Sequence, residues 1–155
     1  MRDFSQDLIT MDRYNERILQ ELRKDGRITN AQLADKIGLS ASACLRRVQE
    51  LEKTGVIAGY KAVIDSTKLG KGFKAFVTVG LSTHTKEAQR SFEEAIVQSK
   101  EVLGCHNVTG EFEYLLQVET DDLTSYKSFH TNVLGDIEYV SKITTLVVME
   151  SVKDE

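Results

Sequence analysis

The chain has 155 residues, of which 41% are hydrophobic and 28% are charged, a balance that supports a folded core and excludes an intrinsically disordered chain. It contains no run of 18 or more apolar residues and no secretory signal near its start, so we expect neither a membrane span nor export and place the protein in the cytoplasm. Its two cysteines, Cys44 and Cys105, lie far apart without metal-ligand spacing, so we expect no disulfide framework, metal or cofactor.

The net charge of −4 is unevenly distributed along the chain. Residues 1–60 have ten basic and nine acidic side chains, whereas residues 61–155 have ten and fifteen. Because binding to phosphate depends on local positive charge, the N-terminal part remains compatible with nucleic acid. The length allows one ordinary domain or two small ones, and the charge asymmetry indicates two parts with different partners.

Two helices are predicted first along the chain. Apolar residues recur at helical spacing over residues 12–25, and Asp12 can serve as the N-cap. A shorter helix follows, with Thr29 or Asn30 as its cap. Gly38 ends it in a position suited to a left-handed turn. The break between this helix and the next is therefore predicted to be sharp.

A third helix is predicted over residues 40–53, with Ser40 as its N-cap. One stripe of this helix is apolar and is predicted to face the core: Cys44, Leu45, Val48 and Leu51. A helix, a tight glycine turn and a second helix form the helix-turn-helix arrangement, whose second helix enters the major groove of DNA.

The exposed face of the third helix is basic and supplies candidate DNA contacts. A guanidinium fork fits phosphate or a guanine edge, and hydroxyl and amide groups can bond either. The candidates are Ser40, Ser42, Ala43, Arg46, Arg47 and Gln49. The alternative is an ordinary three-helix domain in which these residues are solvated and Arg47 pairs with Glu50 or Glu52.

β-Branched and aromatic residues at 56–57 and 60–64 predict a small hairpin or wing after the third helix. Residues 65–72 contain two glycines and few apolar residues, which favours a hinge. The predicted organisation is a helix-turn-helix DNA-binding domain with an N-terminal arm and wing over residues 1–64, the hinge over 65–72, and a second domain over 73–155.

The second domain reads as βαββαβ, the ferredoxin-like split unit, which makes the whole chain α+β. The predicted elements are a strand at 73–81, a helix at 86–100, strands at 102–109 and 113–120, a helix at 122–134 and a strand at 140–152. The helices of such a unit cover one face of the sheet. Since the first strand is polar on neither face, we expect a second copy of the chain to cover the free face.

No nucleophile elbow, acid-base pair or phosphate-binding loop is recognisable in the sequence, so we do not expect an enzyme.

Four motifs together resemble the Lrp/AsnC family, the leucine-responsive or feast/famine regulators. The run MDRYNERILQELRKDGRITNAQLADKIGLS is similar to the family's first two helices, and SASACLRRVQELEKTGVIAGYKAVID to its recognition helix and wing. Further on, CHNVTGEFEYLLQVET resembles the family's effector turn and ITTLVVMESVK its closing strand. The resemblance covers nearly everything from Met11 onward.

This resemblance implies a sequence-specific DNA-binding transcription regulator that forms dimers through its sheet and builds octamers or other assemblies of dimers. It also implies an amino acid effector bound at interfaces of the C-terminal domain. The matching effector positions are Gly110, Glu111, Phe112, Glu113 and Tyr114, with Leu123, Leu146, Val147 and Val148 nearby. Gly110 allows close backbone approach, and the two glutamates can accept from a ligand ammonium, with Glu113 the leading candidate. The alternative is a plain hairpin with solvated acids.

Two departures from the family pattern leave the effector's identity open. The family commonly has a Leu-Pro-Gly-Val turn before the last strand, where this chain has Ile137, Glu138, Tyr139 and Val140. The acids of the effector turn, often aspartates, are glutamates here, and their extra length could shrink the pocket or favour a smaller effector. A second hypothesis is a ligand-binding assembly protein whose N-terminal module contacts protein rather than DNA.

Overall fold

The computed structural model describes residues 11–153, so the predicted N-terminal arm, residues 1–10, lies outside the described residues. The chain divides into two compact units, the first ending at Val63 and the second beginning at Ile64. The first unit is helical and the second combines a sheet with helices.

Three helices form the first unit: α1 (Arg13–Lys24), α2 (Asn30–Ile37) and α3 (Ala41–Lys53). Asp12 caps α1, and Thr29, one of the two residues considered, caps α2 in a reciprocal capping box. Gly38 then turns the chain at φ +76°, in the left-handed region that glycine occupies without steric cost. These predictions are confirmed. The helices enclose a core of six buried residues: Ile18, Leu33, Ala34, Ile37, Cys44 and Leu51.

Two predictions for the first unit are wrong. Leu45 is 45% exposed, because the buried side of α3 runs through Cys44, Val48 and Leu51, and Leu45 lies one residue further around the helix. Residues 56–64, predicted as a small hairpin or wing, contain no strand, so a hairpin of paired strands is not formed there. The first part of this segment is instead held against α3, since the Ile57 N–H donates to the Leu51 carbonyl and the Tyr60 hydroxyl donates to Glu52.

The second unit has the predicted βαββαβ order. Its elements are β1 (Phe73–Leu81), α4 (Lys86–Val97), β2 (Val102–Asn107), β3 (Tyr114–Thr120), α5 (Leu123–Asn132) and β4 (Val140–Val147), with short 3-10 turns at Ser66–Leu69 and Leu134–Asp136. The strands form one antiparallel sheet in the order β2-β3-β1-β4. The ferredoxin-like topology is therefore confirmed, although α4, β2, α5 and β4 end earlier than predicted.

Side chains of β1 alternate between a core and an open face. Val77 and Val79 are fully buried in the core that also contains Phe92 of α4. On the opposite face Phe76 is 40% exposed, and its register neighbour Leu146 on β4 is 52% exposed. The sheet thus presents apolar side chains on the face opposite this core.

The turn before β4 is unusual in its backbone. Tyr139 has φ +70° and is the one non-glycine residue with positive φ among those described. It occupies the position at which the Leu-Pro-Gly-Val pattern has glycine, and its carbonyl accepts from the Ser82 N–H at 2.7 Å. The chain therefore holds a left-handed backbone conformation here at a steric cost that glycine would avoid.

Candidate functional site

The start of α3 is fixed by polar contacts of its own chain. The Ser40 hydroxyl accepts from the Ala43 N–H at 3.2 Å and lies 3.3 Å from the Ser42 hydroxyl. The Asn30 side chain donates to the Ala41 carbonyl at 2.8 Å, which ties α2 to the first turn of α3. Ser40 therefore acts first as a helix cap.

The outer face of α3 carries three of the candidate DNA contacts. Ser42, Arg46 and Gln49 are exposed and follow one another at helical spacing, while Ala43 is half-buried beside them. Among the described residues, Arg46 has no hydrogen bond or ion pair. Its guanidinium is available to a phosphate or a guanine edge.

Arg47 has different surroundings from Arg46. Its Nη1 donates to Asp12 Oδ2 at 2.7 Å, to Asp12 Oδ1 at 3.0 Å and to Asn15 Oδ1 at 3.0 Å. The guanidinium carbon also lies 5.3 Å from the centre of the Tyr14 ring. The partners considered from sequence, Glu50 and Glu52, were wrong, because the real ones lie on α1 and its cap, more than 30 residues away along the chain.

Further polar contacts join α1 to α2. The Arg17 guanidinium donates to the Ile37 and Lys36 carbonyls at the end of α2, which have no partner within their own helix. Lys36 also pairs with Glu21 at 2.8 Å, and this bond is the main reason why the pKa of Glu21 is lowered. Helix α1 thus holds both helices of the helix-turn-helix.

A cavity of about 230 Å³ lies on the open face of the sheet in the second unit. It brings together three of the predicted effector residues, Glu111, Phe112 and Leu146. The rest of its lining is Thr78, Gly80, Lys142 and Thr144, none of which was predicted. The cavity therefore combines a carboxylate, an ammonium group, hydroxyls and apolar surface, which are the groups that a zwitterionic amino acid could use.

The unpredicted lining residues follow from strand register. Thr78 of β1 lies opposite Thr144 of β4, and Gly80 lies opposite Lys142. At Gly80 a side chain would meet the Lys142 Cβ at 3.4 Å and the Glu113 carboxylate at 3.7 Å. The alternation along predicted strands could have placed these positions on one face, but the pairing of β1 with β4 was needed to bring them together.

Glu113, the leading candidate for the ligand ammonium, already has partners on its own chain. Its Oε2 accepts from the Leu81 N–H at 2.7 Å, and its Oε1 lies 2.9 Å from Nδ1 of His84. The side chain is only 16% exposed. Glu113 therefore joins the effector turn to the end of β1, and Glu111 is the acid that lines the cavity.

The remaining predicted effector residues do not line the cavity. Tyr114 is buried in the core, where its ring packs against Phe92 and its hydroxyl donates to Glu93 at 2.6 Å, and burial strongly raises its pKa. Gly110 has φ +134° in the turn before Glu111. Leu123 begins α5, Val147 ends β4 directly after Leu146, and Val148 lines a separate cavity near the 3-10 turn Ser66–Leu69.

Neither cysteine has the surroundings of a reactive thiol. Cys44 is buried in the core of the first unit, and burial raises the pKa of its thiol. Cys105 is exposed on β2 as a residue, but partial desolvation of its thiol and the nearby Glu93 carboxylate raise its pKa. In residues 11–153 no group of three His, Cys, Asp or Glu side chains could hold a metal ion.

Over the same residues no helix is both long and apolar enough to cross a membrane.

Two protein-family models match this chain, one in each half. Residues 11–58 match a winged helix-turn-helix DNA-binding profile, and residues 74–155 match the Lrp/AsnC ligand binding domain. The leucine-responsive regulatory proteins of Klebsiella pneumoniae and of Escherichia coli K12 are each 37% identical over 143 residues, which cover 92% of this chain and 87% of theirs.

Solved structures agree with these matches. A transcriptional regulator from Neisseria meningitidis, solved in complex with L-methionine, superimposes with a TM-score of 0.89 at 32% identity and covers 94% of both chains. An AsnC family transcriptional regulator from Agrobacterium tumefaciens gives 0.86 at 32% identity, covering 93% of this chain and 94% of that one. These relatives are transcription regulators rather than enzymes, and the chain described here belongs to the Lrp/AsnC family of DNA-binding transcription regulators.

Proposed function

We propose that this regulator reads DNA with the outer face of α3 and that a small amino acid, bound in the cavity on the sheet, alters its binding. The observation that carries the proposal is that each of the two units has its own surface with ligand-binding side chains. One is an exposed guanidinium face on the helix-turn-helix. The other is a cavity lined by Glu111 and Lys142 in the second unit. A ligand can shift DNA binding only by the difference in its affinity for two states of the protein.

On the DNA side, Arg46 contacts a phosphate or a guanine edge. Ser42 and Gln49 donate to phosphate or base atoms, and the Ala43 methyl packs against a thymine methyl. Ser40 and Arg47 contribute by holding α3, since both bond within the unit. Two copies of α3 in a dimer would reach half-sites separated by about one helical turn of DNA or a multiple of it.

On the effector side, Glu111 accepts from the ligand ammonium and Lys142 binds the ligand carboxylate. Phe112 and Leu146 contact the ligand side chain, and the cavity of about 230 Å³ suits a small amino acid. The Neisseria relative with bound L-methionine supports this class of ligand. Tyr114, Leu123, Val147 and Val148 affect the site through packing or through a second copy of the chain.

We also propose that residues 1–64 act as the DNA-binding domain, 65–72 as a hinge, and 73–155 as the ligand-sensing and oligomerisation domain. The division of the chain after Val63 supports the first boundary. The apolar side chains Phe76 and Leu146 on the open face support pairing with a second copy, from which octamers or other assemblies of dimers can grow. The relatives compared above are bacterial transcription regulators, whose DNA lies in the cytoplasm, and we propose the same site of action for this protein.

The experiment is a joint measurement on the full-length protein. Genomic fragments are selected by binding, and light-scattering mass is recorded with and without each of the twenty amino acids. We expect a mass that is a multiple of the dimer, a selected set of fragments, and one or a few amino acids that change either result. A monomer that retains no fragment at low salt would contradict the proposal and favour the alternative, an N-terminal module that contacts protein.

A further inference from the structure

The contact between Asp12 and Arg47 fixes the rotation of α3 about its own axis. Three oxygens from α1 and its cap accept from one guanidinium nitrogen, at 2.7 to 3.0 Å. The Tyr14 ring lies under the same group. Successive residues of an α-helix are rotated by about 100° around its axis, so holding Arg47 against α1 turns Arg46 toward the outer face.

Asp12 has two roles in this arrangement. Its Oδ1 accepts from the Asn15 N–H at 2.9 Å, which starts α1, and both of its oxygens accept from Arg47. These two bonds are the leading causes of the lowered pKa of Asp12. Asn15 is itself only 7% exposed, and Arg47 satisfies its amide oxygen.

We propose that Asp12 and Arg47 are positioning residues that set sequence discrimination by orienting α3, and that Arg47 does not add a DNA phosphate contact. This inference rests on the proposed reading of DNA by α3. Asp12 already balances the charge of Arg47. Of the two neighbouring arginines, Arg46 is therefore the one whose positive charge is not balanced by an acid within residues 11–153. The role of the Asp12–Arg47 pair is therefore geometric rather than electrostatic.

Substitution of Asp12 separates geometry from charge, since the two predict different changes in the ratio of affinities for two DNA sequences. Asp12→Asn keeps a good N-cap but removes the carboxylate that binds Arg47. If only charge mattered, loss of an acid near DNA would strengthen binding to every sequence. If orientation matters, discrimination between sequences falls. Glu16→Gln is the matched control, because Glu16 is an exposed acid of the same helix and has no bond to Arg47.

The test measures Kd of full-length protein for a genomic fragment that wild type selects and for a scrambled fragment of the same length, well below the unfolding temperature. The readout is the ratio of the two Kd values, which does not depend on the fraction of protein that is folded. We expect Asp12→Asn to lower this discrimination roughly five- to tenfold while binding to the scrambled fragment stays equal or tightens. Glu16→Gln should leave the ratio unchanged.

A double-substitution cycle completes the test. Arg47→Gln alone should also lower the ratio, and adding Asp12→Asn to it should cause no further loss, because both remove the same contact. An unchanged ratio in Asp12→Asn, or additive losses, would overturn the positioning role while leaving the proposed function standing. A wild-type protein that discriminates between no fragments would overturn the proposed function and this inference together.

Discussion

Leu51→Ala is expected to lower the unfolding free energy of the first unit strongly, whereas Leu45→Ala is expected to change it little. Both leucines lie on α3, but Leu51 is 0% exposed within a core of six buried residues and Leu45 is 45% exposed. Truncating a buried leucine costs about 2–5 kcal/mol, through lost burial and the cavity that remains. For Leu51 we expect about 3 kcal/mol of unfolding free energy, and for Leu45 less than about 1 kcal/mol.

Hydrogen exchange measured by mass spectrometry reports this difference locally. A loss of about 3 kcal/mol should speed exchange of the α3 amides by roughly 150-fold in Leu51→Ala, if exchange follows the opening equilibrium. Amides of β3 should exchange at the wild-type rate, because they belong to the other unit. Equal acceleration in the two variants, or acceleration of β3 as well, would refute the assignment of the core and of the separate units.

Three further outcomes are expected. Gly38→Ala should destabilise the first unit by about 1 kcal/mol in urea denaturation, because φ at this residue is +76°; an unchanged midpoint would contradict the tight turn. Glu21→Gln should lower stability at neutral pH, because it removes the ion pair with Lys36. The pKa of Glu21 is lowered in the folded protein, so the stability that this pair contributes is lost as the pH falls below about 4.5, and the difference from wild type should shrink there. A pH-independent difference would count against this pair. Lys142→Met should weaken binding of the effector amino acid by about tenfold in calorimetry, because a charged hydrogen bond is lost. Lys86→Met, at the start of α4, is the control and should leave binding unchanged. Equal effects of the two substitutions would remove Lys142 from the site.

Local signals made most of the elements predictable from sequence. Asp12, Thr29 and Ser40 cap helices through bonds that reach only three residues along the chain. Such contacts depend on neighbouring residues alone, so the sequence pattern contains them. The βαββαβ order was predictable for a similar reason, because the hydrophobic period switches between two and 3.6 wherever a strand and a helix follow one another.

Long-range pairing explains what was missed. The Arg47 contact with Asp12 spans 35 residues, and the Glu113 contact with the Leu81 N–H spans 32. Neither partner could be chosen before the helices and strands were assembled. The cavity on the sheet depends on the register of β1 and β4, which placed Lys142 and Thr144 beside Glu111. The exposed Leu45 and the unpaired segment 56–64 show that apolar or β-branched composition alone predicts neither burial nor strand pairing.

The salt dependence of DNA binding by Arg46→Ala tests the central claim most directly. On a selected fragment, affinity should fall, and the slope of log affinity against log salt should decrease by about one if Arg46 contacts phosphate, or discrimination should relax if it contacts a base. Arg90→Ala is the control, because it removes the same charge from the second unit, where Glu94 pairs with it at 2.7 Å. A variant at Arg46 with wild-type affinity, slope and discrimination would contradict the assignment of α3 as the DNA-reading surface.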